Sequence, residues 1–382
     1  MSGSMRQRSA GSWELRVYVG LDPDTGRRHY RTKTVRGNRA DAERELVDFV
    51  DRVGHGRGVG GRVTVGELLD RWFALASLSW APTTVRQTRS IVDRHLRPHI
   101  GRVRVGELTT ADIDALYAKL LTGPDGEKGL SGGTVQRVHV VLRSALAQAM
   151  RWEWIWDNPA AHAAKIVAPN REPDPPSLEE LVVLLAHLES RDPALHTFVM
   201  VAATTGARRA QLLGLRWRNV NLDAATVSFS AGWVEGPNGP VLAHTKTRRH
   251  HVVELDAQTT NVLAAHRDRR GDPGRDGFVF SSPADATAAW KPNWVTKAFR
   301  RAVRDAGLRP FRLHDLRHFM ATEMLERGVP VATVSGRLDH RRTSTTLNYY
   351  AHATPRGDRT AAETLRQALD HARHQTRTVH KR

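Results

Sequence analysis

Two stretches of breaker residues limit how this chain can fold. Gly54 to Gly61 is glycine-rich and basic, and Ala168 to Pro176 is proline-rich and charged. Glycine loses the most conformational freedom on ordering, and proline fixes φ and removes a backbone donor. Neither stretch suits the interior of an element, so both read as linkers. They cut 382 residues into three parts, as expected for a length beyond one ordinary domain.

The first part alternates apolar and polar residues. Trp13, Leu15, Val17 and Val19 fit one strand, Asp22 to Gly26 a turn, and His29 to Val35 a second strand. Ala40 to Val53 reads as a helix with Leu46, Phe49, Val50 and Val53 on one face. The second part carries helical periodicity throughout. Thr64, Pro82, the Thr110 region and Ser131 to Thr134 each open a helix, the last running Val135 to Trp152. Arg86, Arg89, Arg94, Arg137 and Arg143 fall on the exposed faces of these four helices. The third part reads as helices at 178–188, 194–204, 257–267, 293–306, 313–327 and 331–338, with Gly328 as a helix stop. Strands at 226–233 and 251–255 flank Gly236-Pro237-Asn238-Gly239, which reads as a β-hairpin turn, and a last helix is expected over 358–374.

Charge narrows the partner. Lys and Arg number 58 against 40 Asp and Glu, a formal charge of +18, and the arginines are spread over every segment. This favours a polyanion and salt-sensitive association. No apolar run reaches membrane-spanning length, and Met1 to Trp13 lacks a signal core. There is no cysteine, so neither a disulfide nor thiolate chemistry is available, which fits a cytosolic protein.

Five landmarks carry potential chemistry. Thr204-Thr205-Gly206-Ala207-Arg208 puts a glycine turn before an arginine at a helix start. Lys246 lies between two strands, in Thr245-Lys246-Thr247-Arg248-Arg249-His250-His251. His314-Asp315-Leu316-Arg317 places a histidine and an arginine one helical turn apart, with Leu313, Leu316 and Phe319 to anchor the helix. Leu338-Asp339-His340 follows, and then Thr345-Thr346-Leu347-Asn348-Tyr349-Tyr350-Ala351-His352. Hydroxyl attack on a phosphodiester needs neutralised equatorial oxygens, an in-line nucleophile and a proton for the leaving oxygen. Arginine forks suit the first need. A tyrosine nucleophile leaves a covalent phosphotyrosine, which conserves the bond for rejoining. Singly, each landmark is equally a solvated loop, a hydrogen-bonded histidine or a core tyrosine. His314 and His318 with Asp315 between them also loosely match a zinc-protease pattern, though that pattern wants glutamate at 315 and a third ligand.

In this order the landmarks resemble the tyrosine recombinase (phage integrase) family, with its T-G-x-R box, hairpin lysine, H-x-x-R box, L-G-H box and terminal tyrosine stretch. The resemblance implies a multidomain, mainly α fold with small β elements. It divides into a three-stranded αβ arm-type DNA-binding module over 8–55, a helical core-binding (SAM-like) domain over 63–168, and a mixed α+β catalytic domain over 177–375. It implies a site-specific recombinase acting through a 3′-phosphotyrosine and a Holliday junction. Arg208 and Arg317 would clamp phosphate, Lys246 would protonate the leaving oxygen, and His314 would contact phosphate or move a proton. His340 would bond a non-bridging oxygen or orient the nucleophile, and Tyr350 would attack, with Tyr349 kept as the alternative. It implies no cofactor and no metal. The implied partners are double-stranded DNA attachment sites, three further copies in a tetramer and, as a further candidate, a directionality factor, in a bacterial cytoplasm at the nucleoid. A type IB topoisomerase-like enzyme and a decayed integrase that only binds DNA remain the alternatives. Two positions depart from the family pattern: Gln211 replaces a glutamate, and Asp339 replaces the L-G-H glycine. An aspartate tolerates positive φ better than most residues, and a glutamine can still bond the backbone.

Overall fold

The computed structural model describes residues 3–21, 28–54, 62–123, 128–168, 174–244, 251–282 and 285–339, together with Glu363, Arg366 and Leu369. The chain forms two compact units, 1–170 and 171–382.

The first unit opens with a three-stranded antiparallel sheet, β1 (Gly3–Ser9), β2 (Ser12–Leu21) and β3 (Arg28–Arg36), in the order β1-β2-β3. Helix α1 (Arg39–Gly54) packs Ala42, Leu46, Phe49 and Val50 on Leu15 and Val17. The first strand, Gly3–Ser9, is not among the strands expected from alternation. Its seven residues include one large apolar side chain, Met5, so alternation alone does not reveal it. It exists because β2 supplies a partner for its backbone, Met5 facing Leu15.

The helical module follows with its own core. It comprises α2 (Val65–Ala76), α3 (Pro82–Ile91), the short α4 (Arg97–Ile100), α5 (Thr110–Thr122) and α6 (Gly132–Arg151). Between α3 and α4 the chain makes one π-helical stretch, Val92–Leu96, so the expected second helix runs on to Ile100. Two capping boxes fix helix starts, Thr64 with Glu67 and Thr109 with Asp112. Each satisfies amide donors that a helix N-terminus leaves open. Leu68, Leu69, Trp72, Val92, Leu96, Ile113, Val138, Leu142 and Leu146 meet in the interior. All five expected arginines are exposed. Arg89 lies over the Phe73 ring at 4.0 Å and near Asp70, while Arg97 pairs with Asp70 at 2.6 Å.

The second unit holds α7 (Leu178–Arg191), α8 (Pro193–Thr205), α9 (Arg209–Leu213), β4 (Val220–Asn221), β5 (Thr226–Phe229), β6 (Ala231–Gly236), β7 (Gly239–His244) and β8 (His251–Glu254). After these come α10 (Ala257–Arg269), β9 (Ser281–Ser282), β10 (Asp285–Ala289), α11 (Pro292–Asp305), α12 (Asp315–Glu326) and α13 (Val331–Arg337). A hairpin forms at the expected turn, β6 pairing β7 across Pro237-Asn238, but its second strand β7 is not among the expected strands, and the strand expected over 251–255 pairs β5 instead. The single strand expected over 226–233 is two, because β5 joins a sheet β4-β5-β8 while β6 belongs to the hairpin. Helix α8 is buried on nearly every side, with Leu195, Phe198, Val199 and Ala202 inside the main core beside Phe280 and Phe299. The expected helix over 358–374 lies outside the described residues, apart from Glu363, Arg366 and Leu369, which are helical. Among the described residues no helix is long and apolar enough to cross a membrane.

Candidate active site

The site is assembled at the C-terminal end of α8. That helix stops at Gly206, whose φ of 64° and ψ of 17° are left-handed. Glycine is required twice over here. Besides the positive φ, an added Cβ would lie 2.1 Å from Cε of Met320 and 3.1 Å from Leu338. The reversal delivers two arginines with different fates. Arg209 is half-buried and donates to Oγ1 of Thr296 at 2.6 Å and to the Pro292 carbonyl, tying α9 to α11. Arg208 precedes α9, and its backbone N–H donates to Oε1 of Gln211 at 2.9 Å. The glutamine thus fills one role open to a glutamate at that position. Its Nε2 is buried without a partner among the described residues.

Arg317 joins three segments that are distant in sequence. It is 6 % exposed. Its Nη1 donates to the Gly206 carbonyl at 2.6 Å and its Nη2 to the Leu338 carbonyl. Bonds from a guanidinium to carbonyls are charge-assisted and directional. Leu316 and Phe319 anchor α12 in the main core, and Leu313 packs against it. His314 stands at the N-terminal end of α12, one turn from Arg317, without a side-chain capping bond. Burial among its neighbours, with His318, Arg317 and Arg312 close by, pushes the His314 pKa down to about 4 against the pull of Asp315. The residue keeps an open edge to solvent, so a bound phosphate would reverse much of that depression.

The zinc alternative loses its middle carboxylate. Asp315 is 3 % exposed and accepts from the backbone N–H of Arg312 at 2.7 Å and from its guanidinium at 2.8 Å. Burial opposes its ionisation, but these bonds hold its pKa below the ordinary carboxylate value. The His314 and His318 rings meet edge to face at 5.0 Å. Among the described residues no three metal-ligating side chains converge.

The turn at Leu338-Asp339 closes the described part of the site. Asp339 has a φ of 52°, so a non-glycine residue does occupy a left-handed position there. Its Oδ2 lies 3.5 Å from Nη1 of Arg208. His251, at the start of β8, points Nε2 at the Gly336 carbonyl at 3.0 Å. Arg337 donates to the carbonyls of Thr204 and Glu254 at 2.9 and 3.0 Å. The sequence reading gave His251 no role beyond flanking Lys246 and did not single out Arg337; nothing local marks either. Of the six expected catalytic residues, the structure brings Arg208, His314 and Arg317 together. Lys246, His340 and Tyr350, with Tyr349, lie outside the described residues.

The description "Phage integrase family" fits residues 177–356, and "Phage integrase, N-terminal SAM-like domain" fits residues 64–121. The chain belongs to the phage integrase family of tyrosine recombinases. A tyrosine recombinase XerC-like protein of Caldanaerobacter subterraneus subsp. tengcongensis is 24 % identical, covering 93 % of this chain and 96 % of its own. Among solved structures, the Tn1549 transposon integrase in complex with transposon right-end DNA matches with a TM-score of 0.67 at 16 % identity, over 79 % of this chain and 99 % of that one. A lambda integrase tetramer bound to a Holliday junction matches with a TM-score of 0.57 at 18 % identity, over 89 % and 96 %. The family's enzymes cleave DNA and transfer strands, so the fold class and the enzyme class expected from the landmarks hold.

Proposed function

We propose that this recombinase is the integrase of a phage or mobile element, acting at specific attachment sites through a Holliday junction. The observation that carries this reading is the convergence on Arg317 of the Gly206 and Leu338 carbonyls. With Arg208 beside Asp339, it supports a site in which the T-G-x-R box, the H-x-x-R box and the Leu338-Asp339 turn meet around two arginines.

In this reading the Tyr350 oxygen attacks the scissile phosphorus. The bond to the 5′ oxygen breaks, and Lys246 supplies that oxygen's proton. Arg208 and Arg317 hold the non-bridging oxygens as charge develops. His314 contacts the phosphate or carries a proton, and His340 bonds a non-bridging oxygen or orients the tyrosine. A free phenol has a pKa near 10; nearby cations favour the phenolate. The 5′ hydroxyl of a second strand then attacks the phosphotyrosine and frees Tyr350. One phosphoester is made for each one broken, so the cycle needs no ATP, and in this reading the cations of Arg208, Lys246 and Arg317 supply the charge that neutralises the phosphate. Residues 63–168 grip the core site with their exposed arginines, residues 8–55 hold a separate arm site, and residues 177–375 cut. The lambda integrase tetramer on a Holliday junction supports a tetramer here too. Double-stranded chromosomal DNA as partner puts the protein in the bacterial cytoplasm, at the nucleoid, with a directionality factor as a further partner.

The test is a suicide substrate, a nicked duplex carrying the attachment site at the boundary of the encoding element. A covalent adduct stable to denaturant and formed without metal is expected, and Tyr350→Phe abolishes it. Loss only in Tyr349→Phe moves the nucleophile by one residue. Tight, specific binding without any adduct favours the decayed, binding-only protein.

A further inference from the structure

We propose that His251 is a positioning residue for strand cleavage, fixing through its Nε2–H the Gly336 carbonyl that closes the turn bearing Asp339 and leading into His340. The inference rests on the recombinase reading above.

The Gly336 carbonyl accepts from Nε2 of His251 at 3.0 Å and from the Asp339 N–H at 3.0 Å, with the Leu338 N–H also directed at it. A carbonyl oxygen has two lone pairs, so the bond that shapes the turn and the bond from His251 share one acceptor. Moving one moves the other. The opposite end of this link is rigid. His251 pairs in the sheet with Phe229, and its ring lies 6.0 Å from the Phe229 ring. At the C-terminal end of α13, which has seven residues, Arg317 holds the Leu338 carbonyl and Arg337 ties to the carbonyls of Thr204 and Glu254; the Gly336 carbonyl, inside the turn, is the group that His251 reaches. In sequence His251 lies five residues after Lys246. One imidazole therefore ties the start of β8 to the turn that precedes His340.

A bond to a carbonyl oxygen requires a proton on Nε2. The opposite tautomer would set a lone pair of Nε2 against the carbonyl oxygen. Burial lowers its pKa, helped by Arg317 and Arg208, against Asp339 and the Gly336 carbonyl. A neutral donor fixes the turn without adding charge where phosphate must bind.

The experiment compares full-length wild type with His251→Leu, His251→Gln and His251→Asn on the suicide substrate. Duplex affinity, thermal midpoint and single-turnover cleavage at saturating DNA are measured together. Gln places an amide donor near the position of Nε2, and Asn is too short. A misplacement of about 1 Å costs on the order of 100-fold in rate. His251→Leu and His251→Asn are thus expected to cleave about 10- to 100-fold more slowly at unchanged affinity, and His251→Gln to recover most of the rate. Cleavage near the wild-type rate in the Leu or Asn variant overturns the proposal. So does a Gln variant no better than Asn, or a loss that only follows the unfolded fraction. A Leu variant that fails to fold leaves the Gln–Asn comparison to decide. Failure of wild type itself to form an adduct refutes the recombinase reading instead.

Discussion

Replacing Asp339 by glycine, the family's residue, separates two effects with different signs. In folding, three small terms compete. Relieving a left-handed L-residue at φ 52° gains about 1 kcal/mol. Added freedom in the unfolded chain costs about 0.4–1 kcal/mol. The Arg208 pair, at 3.5 Å between side chains 44 % and 42 % exposed, contributes roughly 0–1 kcal/mol after solvent screening. The sum is close to zero, so the thermal midpoint should move by only a few degrees. Binding has no such cancellation, because a phosphate at Arg208 must displace or face the carboxylate. Two like charges about 6 Å apart repel by roughly 0.7 kcal/mol in water, and by more at lower dielectric. Exposure and salt hold the net effect near 0.5–1 kcal/mol, about a two- to five-fold gain in affinity. Anisotropy titration of a core-site duplex from low to moderate salt measures it. Asp339→Asn, which removes the charge and still tolerates positive φ, should show the same gain. Weaker binding by both variants, or a gain in glycine alone, would refute the electrostatic argument.

Arg317→Lys should lose one of two carbonyl bonds, since an ammonium lacks the fork. A cost of about 1.5–3 kcal/mol would appear in urea unfolding alongside lost cleavage, and unchanged stability would sink the account. For His314, the folded pKa of about 4 lies below the unfolded value, so the unfolded chain takes up the proton first. Its contribution is complete above about pH 6.5 and fades as pH falls toward 4; the open edge of the ring limits it to about 1 kcal/mol. His314→Gln should flatten unfolding midpoints over that window. Gln211→Leu strips the acceptor from the Arg208 N–H and should cost about 1–3 kcal/mol, whereas Gln211→Glu keeps it and should stay near wild type; equal stabilities for Leu and wild type would contradict the bond.

The legible parts of the fold were those set by local rules. Thr64 and Ser131 announced their helices because capping is decided within a few residues. The helix stop at Gly206 is legible for the same reason. Pairing was less legible. Strand β1 is nearly all polar and forms through β2, and the break at Ser230 reflects two sheets competing for one run of apolar residues. The choice of Arg208 over Arg209 followed the family spacing, but its physical reason, the tie from Arg209 to Thr296, spans α9 and α11. Asp339 looked like a departure; its dihedral makes it compatible with the turn, and its carboxylate sets it beside Arg208. The support from His251 and Arg337 was invisible because neither bond is local in the chain.

The two carbonyl bonds of Arg317 reach across 111 and 21 residues. Contacts of such span close large loops, and they form after local helices have paid that entropy. A ribosome-bound or half-collapsed chain can own α8, with its glycine stop, and still lack the second arginine. Bringing Arg208 and Arg317 together therefore requires this long-range closure, which local helix formation alone does not supply. A truncated or misfolded copy remains a basic, DNA-attracted polypeptide, without the means to leave a broken strand behind.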